Sequence, residues 1–454
     1  MSVTSELCVK IAKTSYADLG EPALAAARRH VLDGLAIAIA GTEEEAIQIL
    51  ADHYRERGSK PEATAIGCGY KLDPVSAAAL NGAAMHVLDF EPMWSPANHA
   101  LSTTLAAVLA IAEAKGASGR DILTALVKGV EIQGWIRQAS GQYEAQTMRI
   151  HAPGAAGPFG AAVAAGHILG LNEAQMAHAI GLAASRAASV LANVGTMTKS
   201  THCGQAASLG LEAAMLAKRG FTANMDTFGA KQGYCDTYHD NFRAEELLNY
   251  GKAPLRIVSP GYAIKMFPSQ FGTHFGITAA LELHGKIPKG AKIARVKLTA
   301  PPMNYVNRPS PKTGLDGKFS LQYTASSALL DGRVGIRTFT DARLARADMQ
   351  DLLGKFEVVH DPNIPGRFEE MHVDLAVTLD NGQVLATRCN GPRGKWGTPP
   401  ISEAEHLVKV RDCLATRLDS KAAEQLIEQA RRIDELDAPG VTKLMGLARC
   451  PASA

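Results

Sequence analysis

From the N-terminus to about residue 260, apolar positions recur at helical spacing and almost nowhere alternate with a period of two. Glu21-Pro22 opens an apolar run through Ala40 that stops at Gly41, with proline in the first turn and glycine past the end. The same reading predicts helices over 43–57, 74–90, 101–115, 120–139, 157–169, 172–193 and 204–218. Alanine, the best helix former, dominates these runs. Gly154-Ala155-Ala156-Gly157-Pro158-Phe159-Gly160-Ala161-Ala162 puts small residues on more than one face, as a tightly packed central helix requires. No strand pattern precedes it and the GxGxxG spacing is missing, so it does not read as a nucleotide-binding loop.

After residue 285 the texture changes. Ala294-Arg295-Val296-Lys297-Leu298-Thr299 alternates as a half-buried strand does, and 356–360 reads as another. Residues 372–389 form the clearest hairpin signal, two alternating runs around Asp380-Asn381-Gly382. Between these, 318–330 reads as one helix after a proline-rich loop. Residues 390–400 are rich in turn formers; then Ser402 and Glu405 have capping-box spacing ahead of two amphipathic helices that reach about 436. The expected fold is therefore mainly α: a large all-helical domain over 1–262 and a smaller α+β domain over 263–399. Helices within 400–454 are expected to pack back on the first.

Composition narrows the function classes. With 46% hydrophobic and 20% charged residues the chain is globular, and a formal charge of +2 offers no electrostatic reason for a nucleic-acid or membrane partner. Seven cysteines are scattered without a CxxC pair, which favours reduced thiols in a cytoplasmic setting and opposes an iron–sulfur cluster. No HExxH or EF-hand loop occurs, so no metal is expected. The N-terminus lacks the basic and apolar regions of an export signal, and the most apolar windows, such as 105–112, are short of a membrane span.

Five segments gather ionisable groups in turn-rich, otherwise apolar sequence. The first runs from His86 through Asp89 and Met93 to His99; His86 and Asp89 are i,i+3 neighbours on the predicted helix, so Asp89 can orient a histidine. The second places His151 at the entrance of the small-residue helix, where a carboxylate would be welcome. The third, Thr198-Lys199-Ser200-Thr201-His202, sets a lysine and a histidine three apart before an alanine-rich helix. The fourth runs from Lys265 through Gln270 to His274. In the fifth, Lys318-Phe319-Ser320-Leu321-Gln322-Tyr323, the Tyr323 phenol can donate to an oxyanion.

In this order the segments resemble the MmgE/PrpD family of 2-methylcitrate dehydratases, cis-aconitate decarboxylases and iminodisuccinate epimerases. The resemblance rests on His86-Val87-Leu88-Asp89-Phe90 with His99 downstream, Thr198-Lys199 with His202, the 265–274 stretch, and Lys318 to Tyr323 followed by Ala328-Leu329-Leu330-Asp331-Gly332. It implies a large helical domain, an α+β lid domain, a cofactor-independent site and a homodimer. It also places catalytic positions on Asp89, His99, His151, Lys199, His274 and Tyr323, with Met93, Lys199, His202, Lys265 and Gln270 binding substrate. The implied activity is a lyase of a small di- or tricarboxylic acid, a hydro-lyase ahead of a carboxy-lyase. An epimerase of an imino- or amino-dicarboxylic acid is the alternative, and a non-catalytic carboxylate-binding protein a second one. The chain departs from the family's Asp-Phe-Asp-Asp-Thr at Asp89-Phe90-Glu91-Pro92-Met93, so a thioether stands where a hydroxyl would face the substrate.

Overall fold

A computed structural model of the chain describes residues 1–143, 148 and 150–450. Long helices come first: α1 (Val3–Lys13), α2 (Gly20–Gly41), α3 (Glu45–Arg57), α4 (Pro74–Val87), α5 (Ala100–Lys115), α6 (Gly119–Ala139), α7 (Ala152–Ile168), α8 (Glu173–Ala184) and α9 (Thr198–Lys218). There follow α10 (Thr273–His284), β1 (Ile293–Ala300), α11 (Leu321–Asp331), β2 (Phe356–His360), β3 (Val373–Leu379) and β4 (Val384–Cys389). The chain ends in α12 (Glu403–Leu414), α13 (Ser420–Arg431) and α14 (Ala438–Ala448). The fold is mainly α with a smaller β component. Two compact units are present, one made of 1–143, 148, 150–262 and 403–450, the other of 263–402. Among the described residues no helix is long and apolar enough to cross a membrane.

The helical unit is built around α4, α5 and α7, which bury nearly their whole circumference, as helices without a polar face must. Leu7 and Ile11 of α1, Ile132 of α6, Phe159 of α7 and Ile180 of α8 share one core cluster. Small residues set how closely the helices approach. A Cβ on Gly204 of α9 would lie 2.1 Å from the Ala79 carbonyl oxygen of α4, and one on Gly82 would lie 2.9 Å from the Gly204 Cα. The backbones of α4 and α9 therefore touch.

Three helices differ from the sequence pattern, each for a tertiary reason. The α7 helix starts at Ala152, not 157, and contains Pro158. Pro158 cannot donate to the Gly154 carbonyl, and the Ala188 N–H does so instead at 3.2 Å. That diverts the chain after α8, which stops at Ala184; Ser189 takes a φ of 106° and its carbonyl accepts from the His151 N–H at 3.1 Å. The α9 helix begins at Thr198, a turn and a half before Gly204, so Lys199 and His202 lie on the helix and not ahead of it.

In the second unit the strand order is β2-β1-β3-β4. β1 runs parallel to β2 (Val296 opposite Phe356) and antiparallel to β3 (Leu298 opposite Leu375), and β3 and β4 form the expected hairpin. The α10 helix packs on β3 and β4. The segment 318–330 is broken: Ser320 caps α11 by accepting from the Tyr323 N–H at 3.0 Å, which leaves Lys318 and Phe319 outside the helix.

A buried ion group ties α12 to α2. Asp33 accepts from His406 Nε2 at 2.8 Å and from Lys409 Nζ at 3.1 Å. Burial opposes the Asp33 charge, but Lys409 and His406 hold its carboxyl well below the usual range. His30, one turn earlier, sets its ring 4.3 Å from that of Tyr262 at a tilt of 57° and is pushed down to about 3 by burial.

Gly204→Ala gains about 1 kcal/mol of helix propensity but drives a methyl into a backbone carbonyl, so denaturant unfolding should show a net loss of about 1–3 kcal/mol. Gly446→Ala in α14, with open space at its Cβ, should gain about 0.4–1 kcal/mol. His30 stays neutral when folded and takes a proton near pH 6.5 when unfolded, so stability falls as pH drops from about 6.5 towards 3. The unfolding free energy from urea titrations at pH 7.5 to 4.5 should fall less steeply in His30→Gln, by up to about 1.4 kcal/mol per pH unit.

Candidate active site

The α4 helix closes at Leu88, and the next residue, Asp89, takes a left-handed φ of 50°, a region that aspartate enters more easily than most residues. This turn points the carboxylate across to α9, where Asp89 Oδ2 accepts from Lys199 Nζ at 2.9 Å. The same ammonium donates to His86 Nε2 at 2.8 Å. With Nε2 accepting, the His86 proton lies on Nδ1 and is donated to Glu91 Oε1 at 2.5 Å. Glu91, fully buried, also accepts from the Ser102 N–H at 2.9 Å and the Ser102 hydroxyl at 2.8 Å in the first turn of α5. His99, the N-cap residue of α5, sets its Nδ1 3.4 Å from Glu91 Oε1.

His151 precedes the first turn of α7, with its ring 6.0 Å from those of His86 and of His99. Its Nδ1 is 3.0 Å from Nδ1 of His202, one turn along α9 from Lys199. Burial, then the charge of Lys199, pushes both His151 and His202 below the ordinary imidazole range; the neighbouring histidines depress His151 further. Two neutral imidazoles facing each other through Nδ1 must share one proton. If His151 donates it, its Nε2 is a bare acceptor; if His202 donates it, His151 carries a proton on Nε2. The pair can thus present either a base or an acid at the same place.

The loop that carries both carboxylates is fixed from behind. Lys409 Nζ donates to the Phe90 carbonyl at 2.9 Å and lies 4.3 Å from the centre of the Phe90 ring. Phe90 stands between Asp89 and Glu91, so α12 holds the segment that aims them. Met93 is buried two residues beyond Glu91.

Two groups of potential metal ligands occur in this cluster, His86–His99–His151 and His86–Glu91–Cys203, each with its ligand atoms within 4.8 Å of one another. Both need a nitrogen of His86. A divalent cation on Nε2 would have to displace a lysine ammonium 2.8 Å away, and one on Nδ1 the proton that now bonds Glu91. Burial also holds the Cys203 thiol protonated, far above its ordinary range.

In the second unit, Lys265 is fully buried and donates to the Ser269 carbonyl at 3.0 Å; His274 Nε2 lies 3.3 Å from the same oxygen. Gln270 turns its Oε1 onto the Gly272 N–H at 2.6 Å. The Tyr323 phenol, expected as a donor to an oxyanion, gives its proton to the Thr338 carbonyl at 2.6 Å, and burial pushes it up to about 12.

Of the positions read from sequence, Asp89, His99, His151, Lys199 and His202 come together in the helical unit, and Lys265, Gln270, His274 and Tyr323 lie in the other. The expected His86–Asp89 pair is corrected: Asp89 serves Lys199, and Glu91 is the carboxylate on His86. The reason is the end of α4 at Leu88, which removes the i,i+3 relation. Glu91 and Ser102 escaped notice. The available signal was an acidic residue five positions after a histidine in an otherwise apolar stretch, just before a helix start.

Residues 5–247 match the MmgE/PrpD N-terminal domain and residues 267–435 the MmgE/PrpD C-terminal domain. The chain is 29% identical to the cis-aconitate decarboxylase of Mus musculus over 457 residues, covering 98% of this chain and 93% of that one. Against the Homo sapiens cis-aconitate decarboxylase it is 29% identical, covering 96% and 92%. Against the 2-methylcitrate dehydratase of Cupriavidus necator it is 25% identical, covering 70% of each. With both domain models matched along nearly its whole length, the chain belongs to the MmgE/PrpD family.

Proposed function

We propose that the protein is a lyase of a small di- or tricarboxylic acid that works without a bound cofactor, moving a proton at a carbon beside a carboxylate. One observation carries the reading: a buried lysine ammonium, fixed by Asp89 and His86, stands beside a histidine pair that shares one proton. A cation with little water around it binds a carboxylate far more strongly than a surface lysine does. Electron density left on carbon when a C–C or C–H bond breaks can be spread into that carboxylate. The His151–His202 pair then handles the proton. For decarboxylation, carbon dioxide leaves, its bonding pair stays on the substrate carbon, and an imidazole N–H protonates it. For dehydration, neutral His151 removes the C–H proton, and the imidazolium so formed gives a proton to the departing hydroxide, which leaves as water.

The names of the relatives, cis-aconitate decarboxylase and 2-methylcitrate dehydratase, support a lyase of this substrate class. Met93 supports a carboxylate pattern different from that of a hydroxyl-bearing pocket, because a thioether donates no hydrogen bond.

Purified protein screened at 240 nm against di- and tricarboxylic hydroxy acids and their unsaturated products, with carbon dioxide release followed in parallel, should show turnover of at least one. Release of carbon dioxide identifies a carboxy-lyase, and absorbance change without it a hydro-lyase. Silence by both measures, with a polarimetric change on an imino- or amino-dicarboxylate, would replace the lyase by an epimerase. His151→Gln and Lys199→Ala should each lower kcat at least about a hundredfold with unchanged far-ultraviolet circular dichroism. Full activity in either removes that residue from the mechanism.

A further inference from the structure

Away from the Lys199 cluster, the helical unit holds another buried cation in a different setting. Arg137, near the end of α6, is 3% exposed. Its guanidinium donates to the Ser140 hydroxyl at 3.1 Å, to the Gln142 carbonyl at 2.6 Å and towards the Met148 sulfur at 3.5 Å, all neutral acceptors. Its Nε is buried and has no partner, and among the described residues no carboxylate pairs with it. An arginine this deep without a counter-charge is a costly arrangement for a protein to keep.

Arg137 lines a cavity of about 340 Å³, open mouth included, together with His239, Tyr234, Tyr238 and the first turn of α7 through Ala152 and Ala155. Both ring nitrogens of His239 are buried without a partner. The two tyrosines do not supply donors: Tyr234 gives its proton to the Ala155 carbonyl at 3.0 Å and Tyr238 gives its own to the Ala187 carbonyl at 2.6 Å. Guanidinium and imidazole remain, beside the N-terminal end of a 17-residue helix with its partial positive charge. Asp240, the carboxylate that bears on His239, is itself exposed. Among the described residues the lining carries one charge, the positive one of Arg137, because burial and that same guanidinium push the His239 imidazole down to about 4; a metal cation would be repelled. The enclosed part has room for about one water-sized particle, which excludes a carboxylic acid or a phosphate ester.

We infer that this cavity is a binding site for one small monovalent inorganic anion of the size of chloride, held between Arg137 and His239 at the start of α7. The anion neutralises Arg137 and gives His239 a reason to carry a proton, joining the end of α6 to the entrance of α7. The site is independent of the proposed lyase chemistry, so its test needs no substrate.

Crystals of the full chain soaked in bromide should show an anomalous peak within hydrogen-bonding distance of Arg137 and His239. In solution, the unfolding midpoint at pH 6 should rise by roughly 1–2 °C for each tenfold increase in chloride at ionic strength held constant with gluconate. Arg137→Gln should abolish that rise, and His239→Phe should reduce it, which keeps the test open if the arginine variant folds poorly. A water and no anomalous peak in the cavity would overturn the inference. So would a bromide peak with no anion-specific midpoint change, an adventitious ion only, or an equal chloride response in wild type and both variants.

Discussion

The rest of the candidate site depends on one constraint: the Lys199 ammonium has been taken out of water and must be held by neighbours of the right kind. Asp89 supplies the charge and His86 a lone pair. That second contact fixes more than it stabilises. Because His86 must accept at Nε2, its proton is forced to Nδ1, Nδ1 needs an acceptor, and the buried Glu91 provides it. Glu91 then needs donors of its own, which it finds at Ser102 in the first turn of α5. A single buried cation thus sets the tautomer of one histidine, the place of a second carboxylate and the register of a helix start. The contact of α4 and α9 at Gly82 and Gly204 is what brings these groups within reach of one another.

Much of the fold was legible in the sequence because alanine-rich helices and an Asn-Gly hairpin write their periods plainly. What escaped was local structure decided from elsewhere in the chain. Pro158 reads as a helix start, yet it sits mid-helix because the N–H of Ala188 serves the carbonyl that proline leaves bare. The end of α8 is set by the need of Ser189 to receive the His151 N–H, a demand that no window around residue 189 contains. The site shows the same division. The residue types at 89, 99, 151, 199 and 202 were readable as chemistry, because histidine, lysine and aspartate in apolar surroundings call for partners. Who pairs with whom was not, since the exchange of Asp89 for Glu91 on His86 turns on one left-handed φ.

Two of the buried cations of the helical unit, Lys199 and Arg137, make opposite use of burial. Lys199 is surrounded by groups that answer its charge and orient it. Arg137 is surrounded by neutral carbonyl, hydroxyl and sulfur acceptors, so its charge is solvated without being cancelled. Glycines allow the close backbone approach of this interior, and alanines its density.

The tether from Lys409 to the Phe90 carbonyl spans 319 positions of sequence. A ribosome delivers residue 90 long before residue 409, so a growing chain holds the loop with Asp89 and Glu91 without its anchor for most of its synthesis. The nascent protein can complete much of its helical packing early, but this loop is locked only once residue 409 has emerged. The candidate site in this sense waits on α12, the helix that carries Lys409.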